Sequence, residues 1–187
     1  SMVACGCGVG RSLSTPQKSG RKPSIMPEPI TVLGIGNPIM SDDGVGLEIL
    51  EQLRAHYTDQ QHLEFVDGGT SGMELLPTIQ DAESLLVLDA LAPTAHSNPG
   101  DVVTLIGDQI PRLLNSKLSP HQVGLLDLLS AARLLGTEPR RVAVVGVVAE
   151  STELHVGLTP TVTRALPGAV TEARTLLDEW LCHSTSM

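Results

Sequence analysis

Short apolar runs recur along this chain, and stretches with helical spacing separate most of them. Ile30–Ile35 leads into a Gly-rich turn and reads as a buried strand. Leu63–Val66 is a second strand, closed by Asp67-Gly68-Gly69. Leu85–Leu88 is a third, ending at Asp89. Asp101–Ile106 follows the turn Asn98-Pro99-Gly100 and reads as an edge strand. Arg141–Val148 is β-branched and apolar, as an interior strand is. Between them, Gly44–Tyr57 places Val45, Leu47, Ile49, Leu50 and Leu53 as a helix would. Ser71–Gln80 reads as a short helix, with Ser71 as N-cap and Glu74 at capping-box spacing. Pro120–Leu135 carries Leu125, Leu128, Leu129 and Ala132 on one face. Thr159–Leu181 is a C-terminal helix with Pro160 in its first turn, and Pro167 is expected to kink or interrupt it. Strands alternating with helices predict an α/β domain, its largely parallel sheet covered by helices on both faces. The working site of such a sheet lies beyond the carboxyl ends of its strands.

Bulk properties exclude several functions. The 187 residues favour one domain, or one domain plus a tail. Aromatics make up 2%, too few for a surface that stacks on bases, and a net charge of -9 opposes binding to a polyanion, so nucleic acid is excluded as a partner. No apolar run reaches the roughly 18 residues of a membrane span. Residues 1–27 hold Arg11, Lys18, Arg21 and Lys22, no acid, and much Ser, Gly and Pro. They read as a disordered basic extension ending by residue 28, with Ser1-Met2 as an added start and Met26 as a second candidate start. The expected folded domain is 29–182, followed by a tail over 183–187. Cys5, Cys7 and Cys182 lie near the ends, so no disulfide framework is needed, and a reducing cytoplasm is the natural setting. Cys5-Gly6-Cys7 reads as a tail thiol pair rather than a metal site.

The strand ends carry the candidate chemistry. After the first strand comes Gly34-Ile35-Gly36-Asn37-Pro38-Ile39-Met40-Ser41-Asp42-Asp43-Gly44. Its Gly-x-Gly opening resembles a dinucleotide-binding turn, but Ile39 stands where the third glycine belongs. Asp42 and Asp43 would also repel a pyrophosphate. One aspartate suffices to cap a helix, which leaves the other for a different role. Asp89 ends an apolar strand, where a carboxylate must be solvated or bound. His121, in Ser119-Pro120-His121-Gln122, begins a helix. Two carboxylates and an imidazole suit a borderline divalent ion, although spacing alone does not bring them together. Protease signatures are missing: the body lacks cysteine, Gly69-Thr70-Ser71-Gly72 fails the G-x-S-x-G spacing, and no H-E-x-x-H occurs.

Taken in order, Gly34-x-Gly36-Asn37, Ser41-Asp42-Asp43-Gly44-Val45-Gly46, Asp67-Gly68-Gly69-Thr70-Ser71-Gly72-Met73-Glu74-Leu75-Leu76, Leu88-Asp89-Ala90, Ser119-Pro120-His121-Gln122 and Gly157-Leu158-Thr159-Pro160 resemble the successive motifs of the hydrogenase maturation endopeptidases. The resemblance spans residues 30–180. It implies a three-layer α/β sandwich around a five-stranded, mostly parallel twisted sheet. It also implies a metal-binding and catalytic triad of Asp43, Asp89 and His121, with Asp where some members have Glu. The loop Asp67, Gly68, Gly69, Thr70 is similar to one linked with substrate recognition, and equally reads as a tight turn that needs glycine. The implied activity is removal of the C-terminal extension from a [NiFe]-hydrogenase large-subunit precursor once nickel is inserted. The nickel belongs to the substrate, and other divalent ions could take its place in crystals. The implied enzyme is cytoplasmic, works away from membranes and is monomeric on its own. Whether nickel serves recognition or catalysis stays open, and a non-catalytic nickel-binding assembly factor is the alternative.

Overall fold

The computed structural model describes residues 28–110 and 120–184, with the side chains of residues 120–124 and 184 outside the description. The basic extension with Cys5 and Cys7, and residues 185–187, lie outside the described residues. The strands are β1 (Ile30–Ile35), β2 (Leu63–Gly69), β3 (Ser84–Leu91), β4 (Val102–Ile106) and β5 (Arg141–Val148). The α-helices are α1 (Val45–His56), α2 (Leu76–Asp81), α3 (Pro120–Leu134) and α4 (Pro160–Ser184). Short 3-10 turns at Ser41–Gly44 and Met73–Leu75 precede α1 and α2.

The five strands form one sheet in the order β2-β1-β3-β5-β4. All neighbours are parallel except β4, which runs antiparallel to β5 at the edge. The expected architecture is therefore observed. Alternate residues of each strand face opposite sides, and each side has its own core. Ile30 and Val32 of β1, Leu86 and Leu88 of β3, and Val145 and Val147 of β5 pack against α1 and α4. Leu33, Leu85, Val87 and Val144 face the other way, toward Ile79 of α2 and Leu125, Leu128 and Ala132 of α3. β1 and β3 are buried along their whole length, as strands covered on both faces must be.

Four local expectations change. Ser71 caps no helix: its N–H bonds back to the Gly68 carbonyl at 2.8 Å, and α2 starts only at Leu76, with Pro77 in its first turn. Proline fits there because its missing N–H would have no helical partner. Asp67 lies within β2, paired with Gly34, rather than after it. Asp89 lies inside β3, opposite Gly146 of β5, rather than at the strand tip. Pro167 neither ends nor interrupts α4, which runs on to Ser184, past the expected end of the domain at 182. An interior proline costs about 3 kcal/mol. Here Val162 and Leu166 before it, and Ala169, Ala173 and Leu177 after it, are buried against the sheet and hold the helix together. Pro167 itself is exposed.

Connectivity orients the helices. α2 and α3 deliver the chain to the starts of β3 and β5, and Gln80 Nε2 near the end of α2 donates to Thr137 Oγ1 beyond α3 at 3.0 Å. Both helices thus end at the amino edge of the sheet and begin at its carboxyl edge. α4 also descends from the carboxyl edge, since the Arg141 guanidinium, at the start of β5, sits 5.3 Å over the Trp180 ring near its end. Glu28, just ahead of β1, pairs with Arg140 at 2.7 Å on that same amino edge.

One close approach sets the height of α1. A Cβ on Gly46 would stand 2.4 Å from the Leu88 carbonyl oxygen and 2.5 Å from that of Ile35. Both are backbone atoms of paired strands and neither can retreat alone. Replacing Gly46 by alanine should therefore destabilise the fold by about 3 kcal/mol, the upper part of the range for overpacking. Chemical denaturation followed by circular dichroism measures this, and an unchanged midpoint would contradict the packing described.

Candidate active site at the carboxyl edge

The chain leaves β1 toward β2 on one side and returns to β3 on the other. This reversal opens a crevice at the carboxyl ends of β1 and β3, where open α/β sheets place their sites. Asp43 reaches it from the 3-10 turn after β1, and Asp89 from β3.

The two adjacent aspartates of the first turn divide the work. Asp42 is wholly buried. Its Oδ2 accepts the N–H groups of Glu150 and Ser151 at 2.9 and 3.0 Å and the Thr159 hydroxyl at 3.0 Å, and its Oδ1 accepts the Thr159 N–H at 2.7 Å. Thr159 in turn caps α4, its hydroxyl accepting the Val162 N–H at 3.3 Å. Asp42 thus ties the first turn to the loop after β5 and to the start of the last helix. Charge-assisted bonds of this kind are the stronger class. Asp43 is 8% exposed, and its Oδ2 accepts the Asn37 N–H at 2.9 Å. That N–H belongs to the Gly-x-Gly turn, so the carboxylate occupies a donor that a phosphate would need.

Asp89 shares its face of the sheet with Leu85, Val87 and Leu91, the face covered by α2 and α3. It is 2% exposed, and one oxygen accepts the Ala90 N–H at 2.8 Å. Burial pushes its pKa well above the ordinary 3.8, the Ala90 N–H works the other way, and the negative charge of Asp43 adds to the rise. Two carboxylates therefore meet at one crevice, and the charge of Asp43 opposes ionisation of Asp89.

His121 is the second residue of α3, whose first turn lies at the carboxyl edge on the same face as Asp89. The His121 side chain lies outside the described residues. Among the described residues, no group of three His, Cys, Asp or Glu side chains converges as a metal site. The backbone thus brings three elements to one crevice, and two of the three side chains are described within it. In the 67–70 loop, Asp67 Oδ1 accepts the Gly69 N–H at 2.9 Å, and Gly69 has φ 48°, a conformation glycine adopts freely. The Gly69 carbonyl accepts the Gly36 N–H at 2.8 Å. These are the contacts of a tight turn. Asp67 and Thr70 remain exposed at the edge of the crevice.

Sequence reading did not find that the loop 150–159 returns to Asp42. The available signal was its position: it follows β5 at the carboxyl edge, where the other site loops also lie.

A family model described as hydrogenase maturation protease matches residues 47–175, beginning just after the turn that holds Asp42 and Asp43. The chain is also 40% identical over 150 residues to the hydrogenase 2 maturation protease of Escherichia coli (strain K12), covering 80% of this chain and 91% of that protein. This chain belongs to the hydrogenase maturation proteases. Among solved structures, the hydrogenase maturating endopeptidase HybD of Escherichia coli superposes with a TM-score of 0.76, at 40% identity, over 81% of this chain and 93% of that one. The hydrogenase expression/formation protein HupD of Rhodobacter capsulatus is 34% identical over 160 residues, covering 84% of this chain and 75% of its own. As a hydrogenase maturation protease, the chain is a peptidase.

Two of the buried aspartates of this maturation protease, Asp42 and Asp89, should answer mutation with opposite signs. Asp42→Ala strands four donors and should cost about 3 kcal/mol. Asp89→Asn should instead stabilise the protein at pH 7. Folded protein keeps the Asp89 proton at pH values where the unfolded chain has lost it, so stability falls as pH rises from near 3.8 toward the raised value. Asparagine removes that loss, and the advantage of the variant should vanish once both states are protonated in acid. Thermal melts of both variants from pH 3 to pH 8 check this, and an Asp89→Asn protein less stable than wild type at pH 7 would contradict the buried, repelled carboxyl.

Proposed function

We propose that this protease removes the C-terminal extension of a [NiFe]-hydrogenase large-subunit precursor after nickel insertion, and that Asp43, Asp89 and His121 complete the coordination of the substrate's nickel. The observation that carries the reading is the pairing of Asp43 with a buried Asp89 whose ionised form is disfavoured. A divalent cation arriving with the substrate reverses that balance, because it stabilises both ionised carboxylates together. Two carboxylates and one imidazole form a donor set for a borderline ion and leave positions for ligands from the partner. The chain on its own then has weak affinity for divalent metal, which falls in acid as His121 gains a proton. Nickel held there lies beside the peptide bond to be cut, where a Lewis acid polarises a carbonyl or lowers the pKa of water. In this reading the metal comes with the substrate, and no described helix is long and apolar enough to cross a membrane.

The test is incubation with nickel-loaded large-subunit precursor, followed by mass measurement of the precursor's C-terminus. The expected result is loss of one defined C-terminal segment, with nickel-free precursor left whole. Loss of a residue that merely orients a metal ligand costs 10–100-fold, so Asp89→Ala or His121→Ala should lower the rate by about 100-fold or more. Asp43→Glu keeps the carboxylate and should retain substantial activity. Efficient cutting of nickel-free precursor would overturn the metal-reading role. Tight precursor binding without any cleavage would favour the non-catalytic assembly factor.

A further inference from the structure

The carboxyl edge also carries a surface that the three site residues do not use. The loop after β5 is held from beneath through its backbone. Asp42 accepts the N–H groups of Glu150 and Ser151, and Met40 forms a parallel bridge with His155. In that bridge the His155 N–H donates to the Ile39 carbonyl at 3.0 Å, and the Ser41 N–H to the His155 carbonyl at 2.8 Å. The loop is fixed, yet its large side chains are left in water. Leu154 is 77% exposed and Val156 75%, beside Ile39 at 49%. A single exposed leucine needs no explanation. Three on neighbouring backbone segments that are bonded together form a local apolar surface rather than scattered single residues.

Val156 also lines a pocket of about 390 Å³ between the starts of α1 and α4, with Pro38, Ser41, Gly44, Leu158 and Leu166. Ser41 and Gly44 flank Asp42 and Asp43 in the chain, so the pocket borders the turn that carries both, on the α1 and α4 side of the sheet. Glu48 stands at its wall, and Glu150 and Glu153 are exposed on the loop. Arg164 and His155 are exposed nearby, and the chain as a whole carries -9. The surface is thus apolar with a mainly acidic border, beginning one residue from Asp43.

We propose that Ile39, Leu154 and Val156, with the pocket behind Val156, dock an extended segment of the protein substrate that bears apolar side chains two residues apart and a basic residue beside them. The proposal rests on the function given above and names how the same site holds its substrate. Leu154 and Val156 are themselves two apart, the spacing at which an extended chain presents side chains on one side. The apolar pair fills the ledge and pocket, and the basic residue meets Glu48 or Glu153. Held there, the cleavage point is brought to Asp43 and Asp89.

The test measures cleavage of nickel-loaded large-subunit precursor by wild type, by Leu154→Ser with Val156→Ser, by Glu48→Lys with Glu153→Lys, and by Leu134→Ser. Leu134 is 89% exposed at the amino edge, remote from the crevice, and serves as the matched control. The serine pair should raise KM about tenfold or more, as loss of two partly buried apolar contacts does, with a smaller change in kcat. The lysine pair should raise KM and weaken its dependence on salt. All variants should melt with wild type, and the control should cleave like it. An active wild type whose KM survives both double substitutions overturns the docking surface alone. A dimer that the serine pair dissociates, with KM unchanged, assigns the ledge to self-association and also overturns it. A wild type that cuts no precursor overturns the proposed function and the docking surface with it.

Discussion

The carboxylate of Asp42 joins parts of the chain more than a hundred residues apart. Its four short hydrogen bonds bring the loop after β5 and the first residues of α4 onto the turn that follows β1. Backbone bonds between residues 39–42 and 151–155 reinforce the same junction. Joined, the segments form the wall of the crevice, fix the peptide that presents Asp43, and hold up the ledge that carries Leu154 and Val156. A buried anion is costly unless its oxygens are satisfied. Here the satisfaction comes from backbone N–H groups and a hydroxyl, so the carboxylate needs no cation. Its neighbour Asp43 holds only the Asn37 N–H among the bonds described above and stands at the crevice.

The architecture follows from the same economy of positions. Both faces of β1 and β3 are apolar, so helices cover both, and solvent reaches these central strands only at their ends. At the carboxyl end the order β2-β1-β3 parts the loops and leaves room for side chains. Asp89 pays for its place there with a pKa pushed up by burial and by Asp43. Such a carboxyl adds nothing to the core and lowers stability at neutral pH.

The sheet, its order of elements and the identity of Asp43 and Asp89 as candidates were legible in the sequence because they depend on local signals: apolar runs, turn residues and carboxylates at strand ends. Three things were not. The depth of Asp89 depends on β3 continuing through Ala90 to Leu91, which pairing with β5 decides rather than hydropathy. The start of α2 follows Pro77 and the Gly68–Ser71 turn, and a capping-box spacing at Ser71 and Glu74 cannot outweigh them. Pro167 stays inside α4 because buried residues on both sides outweigh its local cost. At α2 one local signal overrode another, and at Asp89 and Pro167 a tertiary contact overrode a correct local rule. The joining role of Asp42 was hidden for the same reason, since its partners are separated from it by 108 to 117 positions.

The direction of the first strand and the last helix has a further consequence. Glu28 pairs with Arg140, and Trp180 lies under Arg141, so the described chain begins and ends at one pole of the molecule. The crevice opens at the other. A fluorophore, an affinity handle or a surface anchor attached at either point is borne on the side turned away from incoming protein. The two points also lie near enough to one neighbouring pair, Arg140 and Arg141, for a linker to join them. New termini could then be opened at an exposed loop such as 94–98, a rearrangement that domains with adjoining ends tolerate.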